Sequence, residues 1–360
     1  METMEGRVNT FLNEIEREVT RQDFENSWKK ILNGSAAVTF LAVVFGILGN
    51  GAVIWLIIFK MKRSHVNIWF LNLAISDFLI LFFQTFQAVS YVLKYWPFGV
   101  SFCKLTLYVS TINICVSSFT LLGINIDRGI SLTNPFWVQK HRPKNCSKIC
   151  CFILWILFIL AGIPIFFMCI SPKTEPGIYE SFCGLNVNSN LKIFNEKCQQ
   201  ANNETQYRVM EMLHPPNLQE FNSTASRVYT VYTTISVFSF ILPLIMTIIS
   251  NLMIFISMKE SLTKKSSRIY RILVSSVAVF FITMSPLYLN AMVYMASIYT
   301  LNSKLYGSTV LAMPLVASFK HLNSCISPIL YFLVGKEAKG IIRESISLMK
   351  SSGTQSKSSE

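Results

Sequence analysis

Seven long apolar runs follow one another along the chain, with polar segments between them. The runs lie at about 36–59, 67–94, 101–128, 148–170, 227–257, 269–297 and 308–334. Roughly 20 apolar residues are enough for a helix to cross a hydrocarbon layer about 30 Å thick. Strand-length alternation of apolar and polar positions is absent. We therefore predict an all-α membrane protein, a seven-transmembrane helix bundle.

The composition supports a membrane location, and the distribution of charge orients the bundle. Hydrophobic residues make up 52% of the chain and charged residues only 14%, which is too apolar for a soluble domain. The segments 60–63, 127–148, 259–271 and 336–360 contain 18 Lys and Arg but 5 Asp and Glu, and so account for the net charge of +13. Basic segments stay on the cytoplasmic side. The charge therefore faces anionic lipid headgroups and a cytosolic partner, and no nucleic acid is expected as a partner.

This orientation divides the chain into three parts. Residues 1–35 form an extracellular amino-terminal tail, in which no cleavable signal peptide is expected. Residues 36–334 form the transmembrane domain, with a long second extracellular loop at about 171–226. Residues 335–360 are cytoplasmic and comprise a short amphipathic eighth helix and a Ser-rich tail, which is a kinase target or a plain solubilising tail. N-glycosylation sequons start at Asn33, Asn203 and Asn222.

The third run ends abruptly in a charged pair, Asp127-Arg128. A charged pair is costly inside hydrocarbon, so it marks the place where a segment leaves the bilayer. Cys103 lies 25 residues earlier, which is roughly 37 Å along a helix. One helix is therefore expected to carry a cysteine at one membrane face and the charged pair at the other.

A set of motifs in fixed order gives the chain a recognisable family likeness. The set comprises Gly49-Asn50, Leu73-Ala74 with Asp77, Cys103, Asp127-Arg128, Trp155, Pro243, Phe280 with Pro286, and Pro328 with Tyr331. Over roughly residues 36–345 the chain resembles rhodopsin-like (class A) G-protein-coupled receptors. The segment PFWVQKHR, which follows the third run, resembles a loop of the chemoattractant receptors, among them the formyl-peptide and chemerin receptors.

The resemblance implies a G-protein switch formed by Asp127, Arg128 and Tyr331. The Asp127 carboxylate is expected to hold the Arg128 guanidinium at rest, and Arg128 then contacts the G protein once the sixth helix moves outward. The alternative is an ordinary pair of interfacial anchors.

Asp77 is an ionisable residue in the middle of the second run and needs buried partners. It lies about 15 Å from the inner face, and Ser117 lies about 16 Å from the same face. The candidate partners are Asn113, Ser117, Asn323, Ser324 and Ser327. Hard oxygen ligands suit Na⁺, which the family binds here. The alternative is a water-free hydrogen-bond network around protonated Asp77, and no other metal or cofactor is expected.

Four positions depart from the family pattern. Gly129 and Asn251 stand where tyrosines are usual, Met284 replaces a tryptophan, and Ser327 replaces an asparagine. Gly129 is expected to loosen the end of its helix. The departures indicate altered switching or ordinary drift within a subfamily.

The resemblance also implies a disulfide between Cys103 and Cys183. Cys198 is left over in the same loop, and we do not assign it to its one nearby candidate, Cys169. The remaining cysteines are expected to be thiols.

The outer halves of the second, third, sixth and seventh helices form the expected ligand pocket. Its candidate residues are Gln87, Tyr91, Ser110, Thr111, Tyr288, Tyr294, Lys320 and His321. No aspartate lies near Ser110, which argues against a small cationic transmitter. Lys320 needs an anionic partner, which we expect to be the carboxylate of a peptide end or of a fatty-acid-like ligand. The alternative is a lysine that snorkels to the headgroups.

These observations predict a plasma-membrane receptor for an extracellular chemoattractant-type peptide or lipid mediator. It would signal to heterotrimeric G proteins, with arrestin and a receptor kinase as further partners. The alternative is a decoy or scavenger receptor that couples weakly or not at all. A channel or transporter is a third class, but the spans contain one acidic residue and no inverted repeat. No catalytic motif is present, so the chain is not expected to be an enzyme.

Overall fold

The computed structural model describes residues 4–19, 22–61, 64–168, 226, 229–230, 232–258 and 264–334. Residues 232–236 are helical, and ten further α-helices are delimited in these ranges. They are α1 (Met4–Val19), α2 (Gln22–Phe59), α3 (His65–Leu93), α4 (Val100–Thr133), α5 (Pro135–His141), α6 (Cys146–Met168), α7 (Leu242–Met258), α8 (Lys264–Tyr299), α9 (Ser303–Lys320) and α10 (Leu322–Val334). A π-helical segment, Val237–Ile241, leads into α7. No strand occurs within the described ranges, which confirms the predicted all-α class.

Six helices of the described part are long and apolar enough to cross a membrane. They are Asn26–Phe59, His65–Leu93, Val100–Ser131, Cys146–Ile163, Tyr232–Ile256 and Val277–Tyr299. The seventh predicted run is present as α9 and α10, which meet at His321. At this junction the His321 N–H bonds the Ser318 carbonyl and the Ser324 N–H bonds the His321 carbonyl, so a tight turn interrupts the helical ladder. We call the end of the bundle that carries Asp127 the inner end, and the opposite one the outer end.

Prolines inside several helices each free a backbone carbonyl four residues earlier, and side chains bond three of these carbonyls. Pro243 frees the Ser239 carbonyl, which accepts a 2.8 Å hydrogen bond from Ser118 Oγ on α4. Pro286 frees the Ile282 carbonyl, and Ser285 Oγ donates to it at 3.0 Å.

Pro328 frees the Ser324 carbonyl in the same way. Asn50 Nδ2 on α2 donates to that oxygen at 2.8 Å. Side chains thus replace the backbone donors that the prolines lack, which is necessary where no water is at hand.

The largest buried cluster lies toward the inner half and joins α2, α3, α4, α6, α8 and α10. It includes Trp69, Phe70, Phe280, Met284 and Tyr331. Beside it, Asn72 on α3 accepts a hydrogen bond from Trp155 Nε1 (2.8 Å) and donates to Thr120 Oγ1 (2.7 Å). This amide therefore fixes three helices to one another.

The outer end carries helical structure that extends beyond the predicted first span. The helix α2 begins 14 residues before the apolar run at 36–59, because Trp28, Leu32 and Ala36 fall on one helical face and are buried against Tyr91. The helix α1 packs its buried Val8 and Phe11 toward α9, where the Phe11 and Tyr306 rings meet edge to face at 6.1 Å. Glu14 accepts a 2.7 Å hydrogen bond from Ser303 in the same region.

Several sequence predictions fall on residues outside the described ranges. They are the second extracellular loop at 171–225 with Cys183, Asn203 and Asn222, and the amphipathic helix and tail at 335–360. Asn33, which the structure describes, is exposed on α2, whereas Ser35 of the same sequon is buried.

Candidate functional site

At the inner end, Asp127 forms an ion pair with Arg142 rather than with its neighbour Arg128. Arg142 Nη2 donates to Asp127 Oδ1, and both side chains are largely buried. The prediction that Asp127 holds Arg128 is therefore wrong for this structure. The reason is that the segment after α5 returns to the end of α4, where the Arg142 guanidinium contacts the Asp127 carboxylate.

Arg142 follows α5 directly and links the loop to three further helices. Its Nη2 also donates to Ser147 Oγ on α6 at 3.1 Å, and His65 Nδ1 of α3 lies 3.0 Å from that hydroxyl. Partial burial lowers the pKa of Arg142, but an arginine stays protonated at neutral pH. The loop is thereby fixed to α3, α4 and α6.

The other two predicted switch residues lie apart from this ion pair. Arg128 Nε is buried without a hydrogen-bond partner. The Tyr331 ring packs edge to face on Phe70 at 5.2 Å, and its hydroxyl contacts the sulfur of Met61.

Gly129 is a site of close helix packing. A Cβ added there would lie 2.5 Å from Cδ1 and 2.6 Å from Cγ1 of Ile254, which belongs to α7. That Gly129 loosens the end of its helix stays a prediction. Because Gly129 has no side chain, the Ile254 side chain of α7 packs directly against α4 at this point.

The polar core lies around Asp77, which is fully buried. Its Oδ1 accepts from Ser324 Oγ at 3.0 Å and lies 3.4 Å from Asn113 Nδ2 and 3.5 Å from Ser117 Oγ. Three of the five candidate partners are thus brought to one oxygen, from α4 and α10.

The second carboxylate oxygen of Asp77, Oδ2, is buried and has no hydrogen-bond partner. A buried oxygen without a partner needs a cation, a proton or water, so the donor set fits a small hard cation or a protonated acid. Ser327, a fourth candidate partner, also interacts with the Asp77 carboxylate, and its Oγ bonds the Asn323 carbonyl at 3.4 Å. Asn323 is buried as well. No cluster of three His, Cys, Asp or Glu suited to a metal occurs in the described part.

In the outer half, Lys320 points into the bundle. Its Nζ donates to Ser110 Oγ on α4 at 2.6 Å. Because the ammonium contacts a buried hydroxyl of a facing helix, it does not snorkel to the headgroups in this structure. His321, the next residue, is buried at the α9–α10 junction.

The remaining pocket candidates fall into separate groups. Tyr288 meets the Ser239 hydroxyl and stacks on Phe240 at 4.5 Å. Tyr294 is grouped with Tyr306 and Tyr232, with ring centroids 5.4 and 6.1 Å away. Thr111 bonds its own helix at the Leu107 carbonyl, and Gln87 and Tyr91 are buried, Tyr91 in the cluster that covers the start of α2.

Cysteine 103 is buried and disulfide-bonded. The predicted partner, Cys183, lies outside the described residues, so the pairing itself stays a prediction. Free thiols occur at Cys115, Cys146, Cys150, Cys151 and Cys325.

Sequence reasoning did not single out Arg142 and Ser239. Arg142 is the last residue of the PFWVQKHR segment, which marked it only as part of a loop motif. Ser239 lies four residues before Pro243, and that spacing predicts a free carbonyl at this position.

Comparisons with known proteins agree with this architecture. The family model described as "7 transmembrane receptor (rhodopsin family)" matches residues 49–209. The chain is 30% identical over 326 residues to the "Chemerin-like receptor 2" of Rattus norvegicus, which covers 89% of this chain and 82% of that receptor. The chain belongs to the rhodopsin family of seven-transmembrane receptors.

Other relatives of the receptor bear chemoattractant names. It is 28% identical over 319 residues to the "C3a anaphylatoxin chemotactic receptor" of Oncorhynchus mykiss, across 87% of this chain and 76% of the relative. It is also 28% identical over 312 residues to the human "Chemerin-like receptor 1", across 83% and 76%. The receptor is thus a multi-pass membrane protein of the chemoattractant type, and the family confirms that it is not an enzyme.

Proposed function

We propose that the receptor binds an extracellular peptide or lipid that carries a carboxylate and activates a heterotrimeric G protein in response. Membership of the family supports the general role, and the names of the relatives favour a chemoattractant-type ligand. The observation that carries the ligand class is the contact between Lys320 and Ser110 inside the bundle.

The Lys320 ammonium has no acidic partner among the described residues. Its described hydrogen bond goes to a neutral hydroxyl, which compensates little of the cost of removing a positive charge from water. A ligand carboxylate that reached the same point would gain a charge-assisted hydrogen bond to Lys320 and a second one from Ser110. The pair therefore suits the anionic end of a ligand.

The inner end supports coupling to a cytosolic partner. The helix α5 exposes Phe136 and Trp137 beside Lys140, so an apolar and basic surface faces away from the bundle. Arrestin and a receptor kinase are proposed as further partners on the basis of the Ser-rich tail, which lies outside the described residues. Plasma-membrane lipids surround the exposed apolar faces of the spans.

The ligand class is tested by G-protein dissociation in transfected cells, with chemotactic peptides in free-acid and amidated forms and with fatty acids. A free-acid agonist should lose potency by about thirtyfold or more in Lys320→Ala, because a buried charge pair contributes about 2 kcal/mol or more. Lys320→Arg should keep most of the response. Lys304→Ala removes an exposed lysine at the start of α9 and serves as the matched control.

Two outcomes would contradict the proposal. If free-acid and amidated agonists act equally on the receptor and on Lys320→Ala, Lys320 does not bind a carboxylate. If agonists recruit arrestin without nucleotide exchange, the receptor is a decoy; the names of the relatives do not favour this alternative.

A further inference from the structure

At the inner end, the Asp127 carboxylate pairs with an arginine that is distant in sequence rather than with the adjacent one. Asp127 Oδ1 accepts from Arg142, 15 residues later, while Nε of the adjacent Arg128 has no hydrogen-bond partner. We propose that Arg142 is a positioning residue: it forms an ion pair with Asp127 and thereby keeps Arg128 available to the G protein. The role in coupling rests on the proposed function; the ion pair itself does not.

Because Asp127 is buried, the loss of Arg142 would leave its charge without compensation. The Asp127 side chain is 6% exposed, and its Oδ2 lacks a partner even when Arg142 is bound. A buried carboxylate that loses its cation must find another, because an uncompensated charge is costly there. The nearest cation in sequence is Arg128, so loss of Arg142 should draw Asp127 and Arg128 together and hold Arg128 at rest.

Arg142 also fixes the loop that precedes it. Its guanidinium bridges Asp127 on α4 and Ser147 on α6, and its backbone N–H bonds the Val138 carbonyl of α5. The orientation of α5, with Phe136 exposed, therefore depends on the same side chain that occupies Asp127.

The first measurement is nucleotide exchange on a purified heterotrimeric G protein, catalysed by the full-length receptor in lipid nanodiscs without agonist. Arg142→Ala should lower the exchange rate at least fivefold. Adding Asp127→Asn should restore the rate to within twofold of the unaltered receptor, because no acid then remains to hold Arg128. Lys144→Ala, which removes an exposed cation two residues after Arg142, is the matched control and should have no effect.

The rescue by Asp127→Asn separates this role from a purely structural one. If Arg142→Ala simply unfolds the inner end, the double variant will be no more active than the single one, and the proposal fails. It also fails if Arg142→Ala exchanges nucleotide at the normal rate.

A second measurement does not depend on signalling. Amide hydrogen exchange in residues 134–146 should be at least tenfold faster in Arg142→Ala than in the unaltered receptor or in Lys144→Ala. Suppose that the unaltered receptor does not catalyse nucleotide exchange, but that Arg142→Ala loses amide protection as expected. The proposed function then fails, whereas the structural role of the Asp127–Arg142 ion pair is supported. Unchanged protection would show that Arg142 does not fix the loop.

Discussion

Asp77 shows how far spacing along a helix can predict a site. Similar depths from the inner face placed Asp77 near Ser117, and the two side chains lie 3.5 Å apart across α3 and α4. The spacing could not show that one carboxylate oxygen collects the contacts while the other has none. That asymmetry depends on rotamers, and it leaves room for Na⁺ or for a proton.

A sodium ion at Asp77 should raise the apparent Tm of the solubilised receptor. At a concentration about ten times Kd, the ion would stabilise the fold by on the order of 1 kcal/mol, or about 2 °C or more. The measurement compares NaCl with choline chloride at equal ionic strength. Asp77→Asn and Ser117→Ala should lose the difference, whereas Ser118→Ala should keep it, because Ser118 bonds backbone carbonyls instead. Equal values in both salts would favour a water-free network around protonated Asp77.

The ion-pair partner of Asp127 could not be predicted from its neighbours in the sequence. The sequence identifies it as a buried acid at the end of a span, but its partner comes from a loop that returns to the helix only in the folded molecule. Lys140, Arg142, Lys144 and Lys148 are all cations of the segment 127–148. Which of them reaches Asp127 depends on the angle at which α5 ends, and no local pattern fixes that angle.

Among the described helices, the apolar spans were predictable, whereas α1 and the start of α2 at the outer end were not. The spans α3 and α4 contain long apolar runs close to the predicted bounds. The helix α1 and the first turns of α2 bury only one narrow stripe, such as Trp28 and Leu32, within a polar sequence. A narrow apolar stripe stabilises a helix only if another element packs against it, and here α3 and α9 do so.

The approach of α7 to α4 at Gly129 should be sensitive to a single methyl group. Gly129→Ala should destabilise the receptor, because overpacking costs about 1–3 kcal/mol against a helix-propensity gain of up to about 1 kcal/mol. Ile254→Ala opens space at the same point. The free energy of unfolding of the double variant should therefore fall by about 1 kcal/mol less than the sum of the two single decreases.

Thermal unfolding of the solubilised receptor measures this coupling. Gly34→Ala is the matched control, because a Cβ at that position of α2 would meet no atom within 4 Å. Additive effects of Gly129→Ala and Ile254→Ala would show that the two residues do not determine the distance between the helices.

For the whole molecule, the order of the spans and the distribution of charge together specify one topology. The segments 60–63, 127–148, 259–271 and 336–360 carry the excess of 13 positive charges. The described bundle places Asp127 and the Arg142 loop at one end, with α1 and the start of α2 at the other. An inverted receptor would move every basic segment away from the anionic leaflet, at about 1 kcal/mol for each Lys or Arg near the surface.

Tags at both ends of the chain test this orientation in intact cells. A tag before Met1 should bind antibody without permeabilisation, and a tag after Glu360 should bind only after it, since basic segments remain in the cytoplasm. Replacing Lys60, Lys62 and Arg63 with glutamine should increase the inverted fraction, because these bases flank the first span. Replacing the outer Lys29, Lys30 and Lys94 should not. If antibody reaches the carboxyl-terminal tag in unpermeabilised cells, the inner end is not cytoplasmic, and neither Arg128 nor Arg142 can meet a G protein.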